Sequence, residues 1–312
     1  MTNQPFLQEV ENDSGLNNLK STQDWLKENK IFIELKLEEH GAIIFKDLPV
    51  KTAEDFDQFV STFNYETFTY EESLSNAVRI NKTDKVFTAN EAPREVEIFL
   101  HHEMAQTPTY PKNIFFFCKS ASETGGETPL CRSDQLYEAL LKADKALVES
   151  FEKFGVIYNS IMSSGDELIS GQGRSWQKTL GVSSKNDAEE KLSKLGYSWN
   201  WIEDDNLSVT TKTLQATKEL GNGQKSFFNQ VIAASLGWKK NSENQIAPVR
   251  FGNGEEIKES YIELISELAQ SLTLLRSWQD HDILLIDNYR VMHGRKPFAG
   301  YKNREVLVSL TN

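Results

Sequence analysis

The sequence predicts a mainly β protein with helices, an α+β chain in which one antiparallel β core carries helices around it. Three observations support this. Short, strongly apolar runs occur in both halves, IFFFC at 114–118 and ILLI at 283–286, as expected of buried strands. Segments with a helical apolar period lie between them. No G-x-G-x-x-G or Walker segment follows a strand, so a nucleotide-binding α/β sheet has no support.

Taken in order, residues 1–18 are polar and expected to be loosely ordered. Residues 19–312 then read as one domain. Thr22 is placed to cap a helix running through Trp25 and Leu26 towards Leu37, with Gly41 as its stop. Ala42–Phe45 (AIIF) reads as a buried strand. Thr52 and Asp55 have capping-box spacing, and Phe56, Phe59, Val60 and Phe63 follow at amphipathic spacing. A helix is expected over 134–151 with Leu136, Leu140, Leu147 and Phe151 inward, and another over 187–195, ended by Gly196. The longest is expected over 255–275, with Tyr261, Leu264, Ile265, Leu268 and Leu272 on one face. Residues 283–286 and 305–310 complete the strands.

A chain of 312 residues can bury a substantial core without disulfides. Its net charge of −12 argues against a general nucleic-acid or anionic-membrane binder, since phosphate recognition needs a basic footprint. Two cysteines, Cys118 and Cys131, make no disulfide framework and read as a reduced pair. The N-terminal residues show no signal peptide, and no stretch approaches a transmembrane span. The expected location is cytoplasmic.

Five histidines are present, two of them in Leu100-His101-His102-Glu103. On a strand, His101 and Glu103 would share a face and His102 would point away. Such a pair is part of a metal site. A third ligand would complete the 2-His-1-carboxylate set that binds non-haem Fe(II) and leaves positions open. Alone, the pair reads as a surface or capping histidine beside a solvated glutamate. His281 reads as a turn residue.

The surrounding residues say more. Met104 is followed by Tyr110-Pro111, the 114–118 strand and Gly125-Gly126-Glu127-Thr128-Pro129. Later come Leu285-Ile286-Asp287-Asn288, His293-Gly294-Arg295, Pro297-Phe298, Gly300 and, 11 residues after His293, Arg304. With these residues the chain resembles the TauD-type Fe(II)/2-oxoglutarate-dependent oxygenases. It looks closest to the clavaminate synthase-like and SyrP-like subgroup. The resemblance runs from about Gly41 to the C-terminus and is strongest at 86–134 and 278–310.

The resemblance implies a double-stranded β-helix, or jelly roll, with Fe(II) on His101, Glu103 and His293. It implies that 2-oxoglutarate is held through its distal carboxylate by Thr128 and Arg304, and that O2 is the cosubstrate. A guanidinium fork with one added hydroxyl donor suits a carboxylate. Arg295 competes for that role but reads better as a brace for its loop. Glu103 stands where related halogenases carry Gly or Ala, which disfavours chlorination. The implied reaction is hydroxylation of an unactivated C–H bond in an amino acid or amino-acid-derived small molecule, with release of succinate and CO2, as in natural-product biosynthesis. The alternatives are oxidative cyclisation or desaturation with the same cofactors, and a non-catalytic jelly-roll binding protein.

Substrate contacts are expected outside the core. Arg79 and Arg174 are candidates for a substrate carboxylate, and Asn229, in Phe227-Phe228-Asn229-Gln230, for a pocket contact. Each also reads as an ordinary surface or core residue. Residues 162–176 read equally as a lid or a surface loop, within an insert spanning about 160–226.

Overall fold

A computed structural model describes residues 6–312 apart from 70–73, 76, 78, 90, 167–172, 222 and 239–245. The apolar run at 114–118 is buried on both faces, and this organises the fold. Ile114, Phe116 and Cys118 point to one side, where they meet Ile44, Leu284, Val308, Leu130 and Val291. Phe115 and Phe117 point to the other, against Leu26, Ile33, Phe56 and Phe59 of two helices. A strand with apolar residues at every position needs a layer on each side, and it has them.

Among the described residues, seven strands form the larger sheet. Its order is Gln8–Val10, Ala42–Phe45, Ile283–Asp287, Asn113–Ser120, Glu305–Thr311 and Thr67–Phe68, with Phe87–Thr88 also paired to Glu305–Thr311. All pairings are antiparallel except the first. A four-stranded sheet runs Thr273–Arg276, Thr128–Arg132, Val291–Arg295, Ile98–His101. The core containing Leu130 and Val291 joins the inner faces of the two sheets, which make a jelly roll. Helices Leu19–His40 and Ala53–Ser61 cover the outside of the larger sheet. Helices Ser133–Ala143, Lys145–Phe154, Val231–Gly237 and Glu259–Ser271 cover the smaller one. A further sheet, Ser198–Trp201, Leu207–Thr210, Val156–Met162, Val249–Phe251, lies in and beside the 160–226 region. No described helix is long and apolar enough to cross a membrane.

Several elements differ from the sequence expectation, each for a local reason. The first helix is capped by Asn18, whose side chain accepts from the Ser21 amide at 2.9 Å; Thr22 lies inside it, fully buried. Residues 8–10, expected to be loosely ordered, form a strand parallel to Ala42–Phe45. The helix expected over 134–151 is two helices, because Asp144 caps the second through the Leu147 amide at 2.9 Å. The helix expected over 255–275 is only Glu259–Ser271, since Thr273–Arg276 is taken up as a strand along Thr128–Arg132. There, sheet pairing outweighs helical periodicity. The longest helix is Leu19–His40. The capping box at Thr52 and Asp55 forms, and both cysteines are free and buried.

The smaller sheet fixes the register that matters most. His293 pairs directly with His101, and the ladder shifts between His293 and Arg295. A Cβ on Gly294 would lie 2.3 Å from the Ile98 carbonyl oxygen. Backbone cannot yield there as a side-chain tip could. Gly294→Ala should therefore lower stability by about 1–3 kcal/mol, the usual cost of overpacking. It should also weaken divalent-metal binding by displacing His293. Thermal unfolding and metal titration of the variant check both; an unchanged affinity would mean the register has no such role.

Candidate metal and cosubstrate site

His101 ends the strand Ile98–His101, and Glu103 lies two residues further on, in a turn where Met104 has φ 58°. The two are therefore not on one continuous strand, as the sequence pattern suggested. The turn brings Glu103 round to the histidines instead. Donor atoms of His101, Glu103 and His293 all lie within 4.8 Å of one another. The two imidazole rings are 4.4 Å apart, and Nε2 of His293 is 3.5 Å from Oε2 of Glu103. Nδ1 of His101 donates to the Phe99 carbonyl at 2.8 Å, which fixes the tautomer and leaves Nε2 as the ring nitrogen able to bind a metal. His102 points away: it is fully buried, its Nδ1 donates to the Asn288 carbonyl and its ring packs on Phe228.

The electrostatics suit a cation. Burial and the neighbouring His293 push His101 down to about 4, so its imidazole is neutral at pH 7, as a ligand must be. Burial opposes ionisation of Glu103, but Arg79 and the two histidines outweigh it and hold the carboxyl well below the usual range. Arg79 Nη2 is 3.2 Å from Glu103 Oε1, so Oε1 is held by the guanidinium while Oε2 faces His293. Two imidazoles and one carboxylate, buried together at a cavity wall, match the 2-His-1-carboxylate donor set.

That cavity encloses about 850 Å³, part of it open to solvent. Thr128 and Arg304 line it together with the triad. The indole N–H of Trp278 donates to Thr128 Oγ1 at 2.9 Å, which leaves the hydroxyl proton free to donate. Arg304 donates to the Gly126 carbonyl at 3.2 Å, while its buried Nε has no hydrogen-bond partner. Burial lowers its pKa from the ordinary value. Arg295 also reaches the cavity, but it donates to the carbonyls of Ala92, Pro93 and Val96 at 3.0, 2.7 and 2.8 Å. It ties the 92–96 loop to the strand bearing His293.

The other sequence candidates separate. Arg79 lines the cavity beside Glu103. Arg174 is absent from the cavity wall; it donates to the carbonyls of Ser75 and Lys178 at 3.0 and 2.7 Å. Asn229 is buried and bonds the Ala216 carbonyl and the Val231 amide; its neighbour Gln230 is the one that lines the cavity. Phe227 lies in the core. In the expected lid, residues 167–172 lie outside the described residues.

Asn288 has a role that the sequence pattern does not announce. Its side chain accepts from the Glu103 amide at 2.8 Å and donates to the carbonyls of Glu103 and Pro111 at 3.1 and 2.8 Å. It thus clamps the turn that aims Glu103. Asn288→Ala would leave these buried groups unpaired, a loss of about 2 kcal/mol or more. Metal affinity should fall roughly 10–100-fold, the usual result of removing a group that orients a ligand. Thermal unfolding of the metal-free protein and Mn(II) titration by electron paramagnetic resonance measure the two effects; unchanged Mn(II) affinity would leave Asn288 a purely structural residue.

Comparison with known proteins places the chain in a family. Residues 7–310 match the family described as Taurine catabolism dioxygenase TauD, TfdA family. A clavaminate synthase-like protein of Arabidopsis thaliana is 32% identical over 286 residues, 91% of this chain and 86% of that protein. The dapdiamide synthesis protein DdaC of Enterobacter agglomerans is 28% identical over 289 residues, 88% of this chain and 83% of that one. Among solved structures, AAD-2 in complex with Mn(II) and N-oxalylglycine superposes with a TM-score of 0.52 at 14% identity, covering 98% of this chain and 94% of its own.

Proposed function

We propose a reaction for this chain, which belongs to the TauD/TfdA family and is a 2-oxoglutarate-dependent dioxygenase using Fe(II): hydroxylation of an unactivated C–H bond in an amino acid or amino-acid-derived small molecule, with release of succinate and CO2. The observation that carries the site is the His101–Glu103–His293 cluster in a cavity that also holds Thr128 and Arg304. His101, Glu103 and His293 would hold Fe(II). Arg304 and Thr128 would take the distal carboxylate of 2-oxoglutarate. When bound, the iron with 2-oxoglutarate and O2 supplies the oxidising power for the C–H bond.

The chain's own residues do the rest. The Phe99 carbonyl and Asn288 hold His101 and Glu103 in place. Apolar Ile98, Phe116 and Val306 form part of the wall and limit water beside the reacting centre. The substrate class draws on relatives named for clavaminate-type and dapdiamide synthesis, and on Arg79 at the wall as a partner for a carboxylate. The test is anaerobic titration with Fe(II) and 2-oxoglutarate, followed by the visible charge-transfer band of the chelate. Amino-acid derivatives would then be screened by succinate release. A product heavier by one oxygen supports hydroxylation; loss of two hydrogens would replace it with cyclisation or desaturation. Absence of the band in folded, metal-loaded protein would overturn the site assignment.

A further inference from the structure

A second chamber adjoins the cavity over the triad. It comprises about 480 Å³ of space between its walls, part of it open to solvent, and the two share Gln106 and Trp238 in their walls. Its lining is mostly apolar, with Leu74, Met162, Leu180 and Val209 from separate parts of the chain, and no charged side chain is among the described residues of the wall. Most polar groups there are already bonded within the protein. The Thr107 hydroxyl donates to backbone carbonyls, Thr211 Oγ1 accepts from the Tyr158 amide, and the Tyr158 hydroxyl accepts from the Gln230 amide.

Two are not bonded. The hydroxyl of Tyr197, a residue only 7% exposed, and Oε1 of Gln106 are buried with no hydrogen-bond partner. Buried polar groups without partners are rare, and each costs free energy until something pairs with it. Here they stand in one apolar chamber that opens beside the metal site.

We propose that this chamber is the subsite for the distal part of the substrate, an uncharged and mostly apolar tail carrying a secondary amide set against Gln106 and Tyr197. An amide offers both an N–H and a carbonyl, so it satisfies a carboxamide in either orientation together with a phenol. A carboxylate or ammonium would find no counter-charge among the described residues of the wall, at a large desolvation cost. The charged end of the substrate therefore stays on the triad side, near Arg79. The substrate is elongated, an amide-linked amino-acid derivative rather than a compact free amino acid. This rests on the reading of the triad as the reaction centre, since the reacting carbon must lie there while the tail lies beyond Gln106 and Trp238.

The experiment measures binding to metal-free protein by ligand-observed NMR, with three probes of equal size: N-butylpropanamide, butyl propanoate and heptanoate. The amide should bind in the millimolar range, as suits so small a molecule. It should bind roughly tenfold tighter than either analogue, because a site built to hydrogen-bond discriminates against a partner that lacks the group. Gln106→Leu should erase the preference for amide over ester. Val209→Trp and Met162→Trp, which fill the chamber from two strands, should each abolish amide binding; one that melts like the parent suffices. Equal affinity for the three probes, no saturable amide binding, or amide affinity unchanged in a folded chamber-filling variant overturns the proposal. Because no metal is present, a missing charge-transfer band would count against the oxygenase site alone, and missing amide selectivity against the chamber alone.

Discussion

Replacing His293 with alanine should abolish 2-oxoglutarate turnover and weaken divalent-metal binding by roughly a thousandfold. Removing a group that only orients a ligand costs 10–100-fold, and removing a ligand should cost more. His293 is the middle of the arrangement: its ring lies 4.4 Å from that of His101 and its Nε2 3.5 Å from Glu103. Without it, one imidazole and one carboxylate remain, and the carboxylate is already shared with Arg79. Neither retains a closed donor set. The fold should survive, because His293 is flanked by buried Met292 and Val291, which hold the strand in the core. The control is His281→Ala, a turn residue at φ 75° whose ring packs near Phe117, far from any ligand role. Metal titration, circular dichroism and succinate release on both variants decide the matter. If His293→Ala keeps the parent's metal affinity, the triad is not the metal site.

Much of this was legible because it depends on local pattern. The apolar runs at 114–118 and 283–286 read as strands, and the structure buries both on two faces. The H-x-E pair, the distal histidine, Thr128 and Arg304 were legible as spaced residue types. Their geometry was not. Nothing in the sequence shows that the strand ends at His101 and that Glu103 is presented by a turn. That turn is held by Asn288, which is 185 positions away along the chain, and so distant a main-chain contact has no periodicity to read. Helix lengths failed where one residue or one neighbour decides: Asp144 caps where the apolar period runs on, and Thr273–Arg276 joins a sheet edge. Arg174 and Asn229 carry suitable chemistry for substrate, but both are bonded to backbone groups and neither lines the cavity. The chamber beyond Trp238 was invisible, because its walls are single residues from distant elements.

The anchoring arginine can be settled by a second large effect. Arg304→Leu should raise the KM for 2-oxoglutarate by roughly a hundredfold or more, since truncating one partner of a buried charge pair costs about 2–5 kcal/mol. Arg304 and Arg295 both reach the cavity, and the ring of Phe298 lies 5.2 and 5.3 Å from their guanidinium carbons. Their bonding separates them. Arg295 already serves three carbonyls, whereas Arg304 serves the Gly126 carbonyl. A buried guanidinium has five N–H donors, and one that serves a single carbonyl has more of them to offer an acceptor arriving with the cosubstrate. Arg304→Lys keeps the charge but loses the planar fork, so its KM should fall between those of the parent and Arg304→Leu. Thr128→Val should cost less, about tenfold, because it removes one hydroxyl donor to the carboxylate and leaves the guanidinium in place. Arg295→Leu should instead lower the melting temperature, because three carbonyls of the 92–96 loop lose their donor, with a smaller change in KM. Should Arg295→Leu raise KM more than Arg304→Leu at unchanged stability, the two roles are reversed, and the carboxylate sits on the arginine next to Gly294.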